Sequence, residues 1–200
     1  DKQGLAMKGK NGLVLPSLDQ LEMELEREIY RQKYRRMVRS TLGMLTVAAA
    51  AAVLIATLLL PVLRIYGASM EPVLMDGDVV VAVSGDNWDR GDVIAFYYNN
   101  EILVKRIIGL PGEWIDMEED GTVLVNGEAL SEPYLSGRAL GVCDLELPYQ
   151  VPEGEYFVLG DHRSVSVDSR SADLGGIAQE RIIGKLFLRV WPLDRIGGIP

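Results

Sequence analysis

Ser69 stands in the run Gly67-Ala68-Ser69-Met70-Glu71-Pro72-Val73-Leu74, where a glycine, two small side chains and a proline specify a sharp bend. A hydroxyl there has two readings: a turn residue bonded to nearby backbone, or a nucleophile presented at a bend. The second reading needs a base. Lys105 is one candidate, because in the strand-like run Glu101 to Ile108 it shares a face with Leu103 and Ile107 by two-residue alternation. Most strand lysines extend to water, but one held among apolar neighbours loses hydration, and its pKa falls. A fall of about 2–3 pH units from about 10.4, costing roughly 3–4 kcal/mol, gives a neutral amine near pH 8. That amine can take the proton of Ser69 and return it to a leaving amine. His162 beside Asp161 is the rival base, but Gly160-Asp161-His162-Arg163 has the character of a polar turn.

Strands must carry these residues. Val79 to Val83, Val93 to Tyr98, Glu101 to Ile108, Thr122 to Val125, Tyr156 to Leu159 and Ile182 to Val190 have strand character. Turn signals separate them: Asp76-Gly77, Arg90-Gly91-Asp92, Asn99-Asn100, Pro111-Gly112, Asn126-Gly127 and Glu153-Gly154. Asn99-Asn100, between two apolar runs, fits a tight hairpin. No long helical period follows residue 65. The expectation for 65–200 is a mainly β domain, an antiparallel coiled sheet of barrel-like form. Within it, 128–150 reads as a loop-like insertion of no assignable fold.

Before that domain the chain changes character. Residues 1–16 read as a flexible tail. Ser17-Leu18-Asp19-Gln20 fits a capping box that opens a helix over 17–40, with Leu18, Leu21, Leu25 and Ile29 at helical spacing. The helix ends in Arg31, Lys33, Arg35, Arg36 and Arg39. Thr41 to Leu60 then carries no charge. Twenty residues of helix span about 30 Å, the hydrocarbon thickness of a bilayer. A basic cluster before the span and only Arg64 soon after it put the N-terminus in the cytoplasm and the β domain outside. The predicted arrangement is a single-pass anchor in the cell membrane. Ser69 lies nine residues beyond the span, within about 30 Å of extended chain.

Charge and composition exclude several classes. Residues 1–40 hold nine Lys/Arg against six Asp/Glu, while 65–200 hold ten against twenty-three. So acidic a domain is a poor match for nucleic acid. With one cysteine, Cys143, and one histidine, neither an internal disulfide nor a zinc site is expected. The chain should work with no metal and no cofactor.

Three ordered blocks resemble the type I signal peptidases of the S26 family. These are membrane-anchored serine–lysine endopeptidases that remove signal peptides from exported preproteins. Ser69-Met70-Glu71-Pro72-Val73-Leu74 is similar to the family's nucleophile motif. Lys105-Arg106-Ile107-Ile108-Gly109-Leu110-Pro111-Gly112 is similar to its lysine motif, and Gly160 to Arg170 to its third block. Gly77-Asp78-Val79-Val80 and Arg90-Gly91-Asp92-Val93 fit its early strands. The resemblance implies Ser69 as nucleophile, supported by the adjoining Met70, and Lys105 as general base. It further implies that Ser166 bonds and aims the lysine amine, and that Asp168 and Arg170 brace their loop. A lysine base makes the chain similar to the bacterial enzymes. Partners so implied are the bilayer and signal peptides with small residues at the cleavage site. The peptide would add as a strand along Ile65-Tyr66 and Ile102-Leu103-Val104. Two departures stand out: His162 replaces the usual asparagine, and Gly67 replaces a serine that in some members helps the oxyanion hole. Trp88, Trp114 and Trp191 are open to interfacial anchoring or core packing. A self-cleaving repressor protease and a catalytically silent tethered domain are the alternative readings.

Overall fold

Good helix formers run without a glycine or proline break from Leu18 to Thr41, and the uncharged run continues that helix. The computed structural model describes residues 18–200, and in it α1 runs unbroken over Leu18–Leu59. The segments read separately as 17–40 and 41–60 are thus one helix. The tail reading of 1–16 and the Ser17 cap lie outside the described residues. Side chains from 18 to 54 are exposed throughout, unlike those of a core helix. By length and composition Leu18–Leu54 can cross a membrane. Residues up to Ile55 form one unit and those from Ala56 onward a second.

The second unit is built of short strands: β1 (Val62–Arg64), β2 (Val79–Val83), β3 (Val93–Tyr98), β4 (Glu101–Gly109), β5 (Trp114–Met117) and β6 (Val123–Val125). They continue with β7 (Glu128–Ala129), β8 (Tyr149–Gln150), β9 (Glu155–Leu159), β10 (Ile177–Ala178), β11 (Ile182–Trp191) and β12 (Gly197–Gly198). Every pairing is antiparallel. The main sheet runs β1-β2-β11-β3-β4-β9-β10, with β12 beside β11, and a smaller sheet runs β7-β6-β5-β8. Register shifts in β11 and β4 bend and coil the main sheet. Asn99 and Asn100 both have positive φ, 44° and 70°, and close the β3–β4 hairpin between Tyr98 and Glu101. Two positive φ values are what a primed two-residue turn requires.

Three apolar clusters fill the unit. Ile65, Met70, Leu74, Val80, Ala82, Val93, Ala95 and Leu186 form the first, directly beneath the Ser69 turn. The second, around Ile94, Phe96, Ile107 and Val158, includes Trp88. Trp88 is therefore a core residue, not an anchor, whereas Trp114 and Trp191 are exposed. The third cluster joins the two sheets through Ile108, Ile115, Val123, Val151, Phe157 and Leu159.

The insertion 128–150 begins in β7 and ends in β8, and its middle is fastened to the main sheet. Glu132 pairs with the buried Arg163, the Tyr134 hydroxyl donates to Glu132 at 2.7 Å, and the Tyr134 ring faces the Arg106 guanidinium at 4.0 Å. A buried guanidinium needs such partners. Burial first, and the Glu132 carboxylate beside it, hold the Tyr134 phenol well above its ordinary range.

Candidate active site

Apolar anchors fix the Ser69 turn from both ends. Ile65 enters the first core cluster before it, and Met70 and Leu74 do so after it. Ile65 N–H donates to Asp78 O at 2.8 Å and Gly77 N–H to Ile65 O at 2.9 Å, closing the loop at its base. The Asp76 carboxylate accepts from Gly67 N–H at 2.8 Å, and Leu74 N–H reaches Met70 O at 2.9 Å. Between these anchors Ser69 is half-buried.

β4 brings Lys105 to that hydroxyl, with Nζ 2.7 Å from Ser69 Oγ. Lys105 is only 4% exposed. Its pKa is lowered from 10.5 to about 8, chiefly because burial strips water from the ammonium. Arg170 adds to that effect, and Asp168 and Asp161 oppose it. A substantial share of neutral amine thus exists in mildly alkaline solution. The His162 ring does not compete for the hydroxyl, since its Nδ1 lies 3.2 Å from Ala68 O.

The segment Gly160–Arg170 packs against the Ser69 turn. His162 N–H donates to Ser69 O at 3.0 Å. At Gly160 a Cβ would lie 2.5 Å from the Ser69 carbonyl oxygen and overlap Ser166 Oγ, so only glycine permits the approach. Asp168 and Arg170 form a buried two-point pair, Nε–Oδ1 at 2.7 Å and an Nη–Oδ2 contact of 2.8 Å. Arg170 also donates to Arg163 O and Ser166 O, at 2.9 and 3.2 Å. Asp168 accepts from Gly160 N–H at 2.9 Å.

Ser166 departs from expectation. It is buried beside Gly160, but its hydroxyl has no partner, and the anticipated bond to the Lys105 amine is absent. The amine is turned to Ser69 instead.

A cleft of about 690 Å³ opens at the dyad, lined by Val62 to Tyr66, Ser69, Met70 and Glu101 to Lys105. All five residues read as substrate-binding (Ile65, Tyr66, Ile102, Leu103 and Val104) border it. Two backbone edges are open here. β1 ends the main sheet, and β4 pairs with β9 only from Arg106 onward, which leaves 101–105 bonded to β3 alone. Among the described residues no group of three or more His, Cys, Asp or Glu side chains is arranged to hold a metal.

Sequence reasoning missed Arg106. It is buried and doubly bonded to Asp161 at 2.8 and 2.7 Å, and it donates to Gly91 O and Pro200 O. The available signal was an arginine following a lysine inside an apolar strand, where both faces need an account.

The family described as "Signal peptidase, peptidase S26" matches residues 38–191 of this chain. Signal peptidase IB of Staphylococcus aureus (strain Mu50) is 37% identical over 150 residues, covering 65% of this chain and 77% of that protein. Signal peptidase I of Bacillus amyloliquefaciens is 37% identical over 151 residues, covering 69% of this chain and 77% of its own. A crystal structure of a signal peptidase I from Enterococcus faecalis V583 is 36% identical, covers 52% of this chain and 99% of its own, and superposes with a TM-score of 0.42. With the family matched over most of its length, the chain belongs to the signal peptidases, peptidase family S26, and is a serine peptidase.

Proposed function

We propose that the chain is a membrane-anchored endopeptidase that removes signal peptides from exported preproteins through a Ser69–Lys105 dyad. The observation that carries this reading is the 2.7 Å approach of a buried lysine amine to a serine hydroxyl. A signal peptide presents an extended stretch with small residues before the scissile bond. Such a stretch can add as a strand to the open edges of the cleft, with side chains alternating into shallow apolar pockets.

Neutral Lys105 takes the Ser69 proton as Oγ attacks the scissile carbonyl carbon. The carbonyl electrons move onto its oxygen, which faces the Ser69 N–H, a group without an acceptor among the described residues. Collapse breaks the C–N bond, and the Lys105 ammonium protonates the departing amine, the new N-terminus of the mature protein. The signal peptide remains as an ester on Ser69. Water then attacks that ester while Lys105 takes its proton, and the proton returns to Ser69 Oγ as the acid product leaves. Asp168 and Arg170 hold the segment that backs the nucleophile, and Met70 anchors its turn in the core. The chain is then an anchor over 41–60, a cytoplasmic segment before it and an extracytoplasmic catalytic domain over 65–200.

The test is cleavage of a model preprotein in detergent across pH 6 to 10. Ser69→Ala and Lys105→Ala should each abolish turnover. The base acts when neutral, so the wild-type rate should rise with pH through about 8 and then level off. A Lys105→Ala variant of wild-type rate would refute the dyad. Binding of the preprotein without turnover by the wild type would favour a silent binding domain.

A further inference from the structure

The Ala68 carbonyl and the Ser69 N–H belong to one planar peptide and point in opposite directions. Whatever holds the carbonyl therefore aims the N–H. Two donors converge on that oxygen: Glu71 N–H at 3.1 Å and His162 Nδ1 at 3.2 Å. A carbonyl only accepts, so Nδ1 is the ring nitrogen that carries a proton here. The same residue grips the next peptide, its own N–H bonding Ser69 O at 3.0 Å. His162 thus holds both carbonyls that flank the nucleophile.

The neighbours make this hold consequential. Gly67 offers no hydroxyl, and its N–H is committed to Asp76. That leaves the Ser69 N–H as the donor nearest the reacting carbon. A hydrogen bond at one end of a peptide also polarises the other end and strengthens the N–H as a donor.

We propose that His162 is a positioning residue for transition-state stabilisation: its ring, through the Ala68 carbonyl, orients and polarises the Ser69 N–H that receives the oxyanion. The inference rests on Ser69 as the nucleophile. It gives the lone histidine a role distinct from that of a base, and it explains how a glycine two positions before the serine is compatible with catalysis.

The experiment uses the full chain in detergent, an internally quenched peptide substrate and a peptide boronate that forms a tetrahedral adduct with an active serine. His162→Ala should lower kcat about 10- to 100-fold with KM unchanged, as expected for a misaligned oxyanion donor. Boronate affinity should fall by the same factor, while affinity for an uncleavable peptide stays constant. His162→Asn places an amide nitrogen where Nδ1 stands and should restore near wild-type kcat. His162→Gln, reaching to the Nε2 position, should not. Unchanged kcat and boronate affinity in His162→Ala would overturn the proposal. So would equal losses in the Asn and Gln variants, which would mark a merely structural role, and this pair still decides if the alanine variant does not fold. Ser69→Ala separates the two levels: turnover by that variant refutes the nucleophile itself, whereas a dead Ser69→Ala beside a normal His162→Ala refutes only the positioning role.

Discussion

Lys105 illustrates what a reactive residue costs its own protein. Its pKa is lowered from 10.5 to about 8, mainly by burial. Between these values the unfolded chain holds a proton that the folded chain does not, so stability rises with pH across that window. Below about pH 8 both states are protonated and the full penalty applies, about 3 kcal/mol. Above 10.5 both are neutral and it vanishes. Lys105→Met, which keeps length without charge, should therefore raise unfolding stability by up to about 3 kcal/mol at pH 7, with the gain shrinking toward zero above pH 10.5. Chemical denaturation at several pH values checks this, and an equal gain at every pH would mean that packing, not charge, sets the difference. Single residues were unevenly legible. Two-residue alternation put Lys105 on an apolar face, because a strand's facing is written in its own sequence. The reach of His162 to Ala68 joins residues 94 apart in sequence, and the unpartnered hydroxyl of Ser166 also depends on tertiary packing, which no local pattern encodes.

At the scale of elements, the long strands and the turns between them follow from alternation and turn chemistry. Of the strands of two or three residues, only β6 showed in the sequence, as Thr122 to Val125; β1, β7, β8, β10 and β12 are too short to show any period. β1 matters most among these, because it supplies one open edge of the cleft. The insertion 128–150 was illegible for another reason: it is tied down by one ion pair, Glu132 with Arg163, and by hydrogen bonds to distant residues such as Arg170 to Leu140 O and Ala172 N–H to Asp144. Glu132 is the chief tie, holding Arg163, which in turn donates to Gly160 O at 3.1 Å. Glu132→Ala leaves a fully buried guanidinium without its carboxylate, a loss of about 3–5 kcal/mol. Thermal unfolding should show a clear drop in midpoint, and limited proteolysis should cut first within 130–145. A midpoint within a degree or two of wild type would show that the insertion is not braced through this pair.

For the whole molecule, the question is how one helix serves two environments. At about 1.5 Å per residue, the 42 residues of α1 extend roughly 63 Å, about twice the hydrocarbon thickness. Only the uncharged half, from Thr41, suits lipid. The other half carries Glu22, Glu24, Glu26 and Glu28 and then the cluster Arg31, Lys33, Arg35, Arg36 and Arg39, which must stay in water or among headgroups. Cations at that boundary resist translocation, and only Arg64 follows the span closely, so the asymmetry itself can orient the anchor. The acidic balance of 65–200 contributes little, because carboxylates weigh weakly in this rule. The proposed topology therefore depends on five side chains that lie in the sequence before the span, outside the catalytic domain. In intact protoplasts an external protease should digest the domain after the span and spare a tag at the N-terminus. Replacing the five cations by glutamine and adding four lysines just after Leu60 should leave a large fraction of the domain protected and the tag exposed. Signal-peptide cleavage should fall in proportion, since an inverted enzyme faces the wrong compartment. If the wild-type domain is protected, the proposed orientation is wrong. If the charge swap leaves the digestion pattern unchanged, orientation is set by something other than the basic cluster.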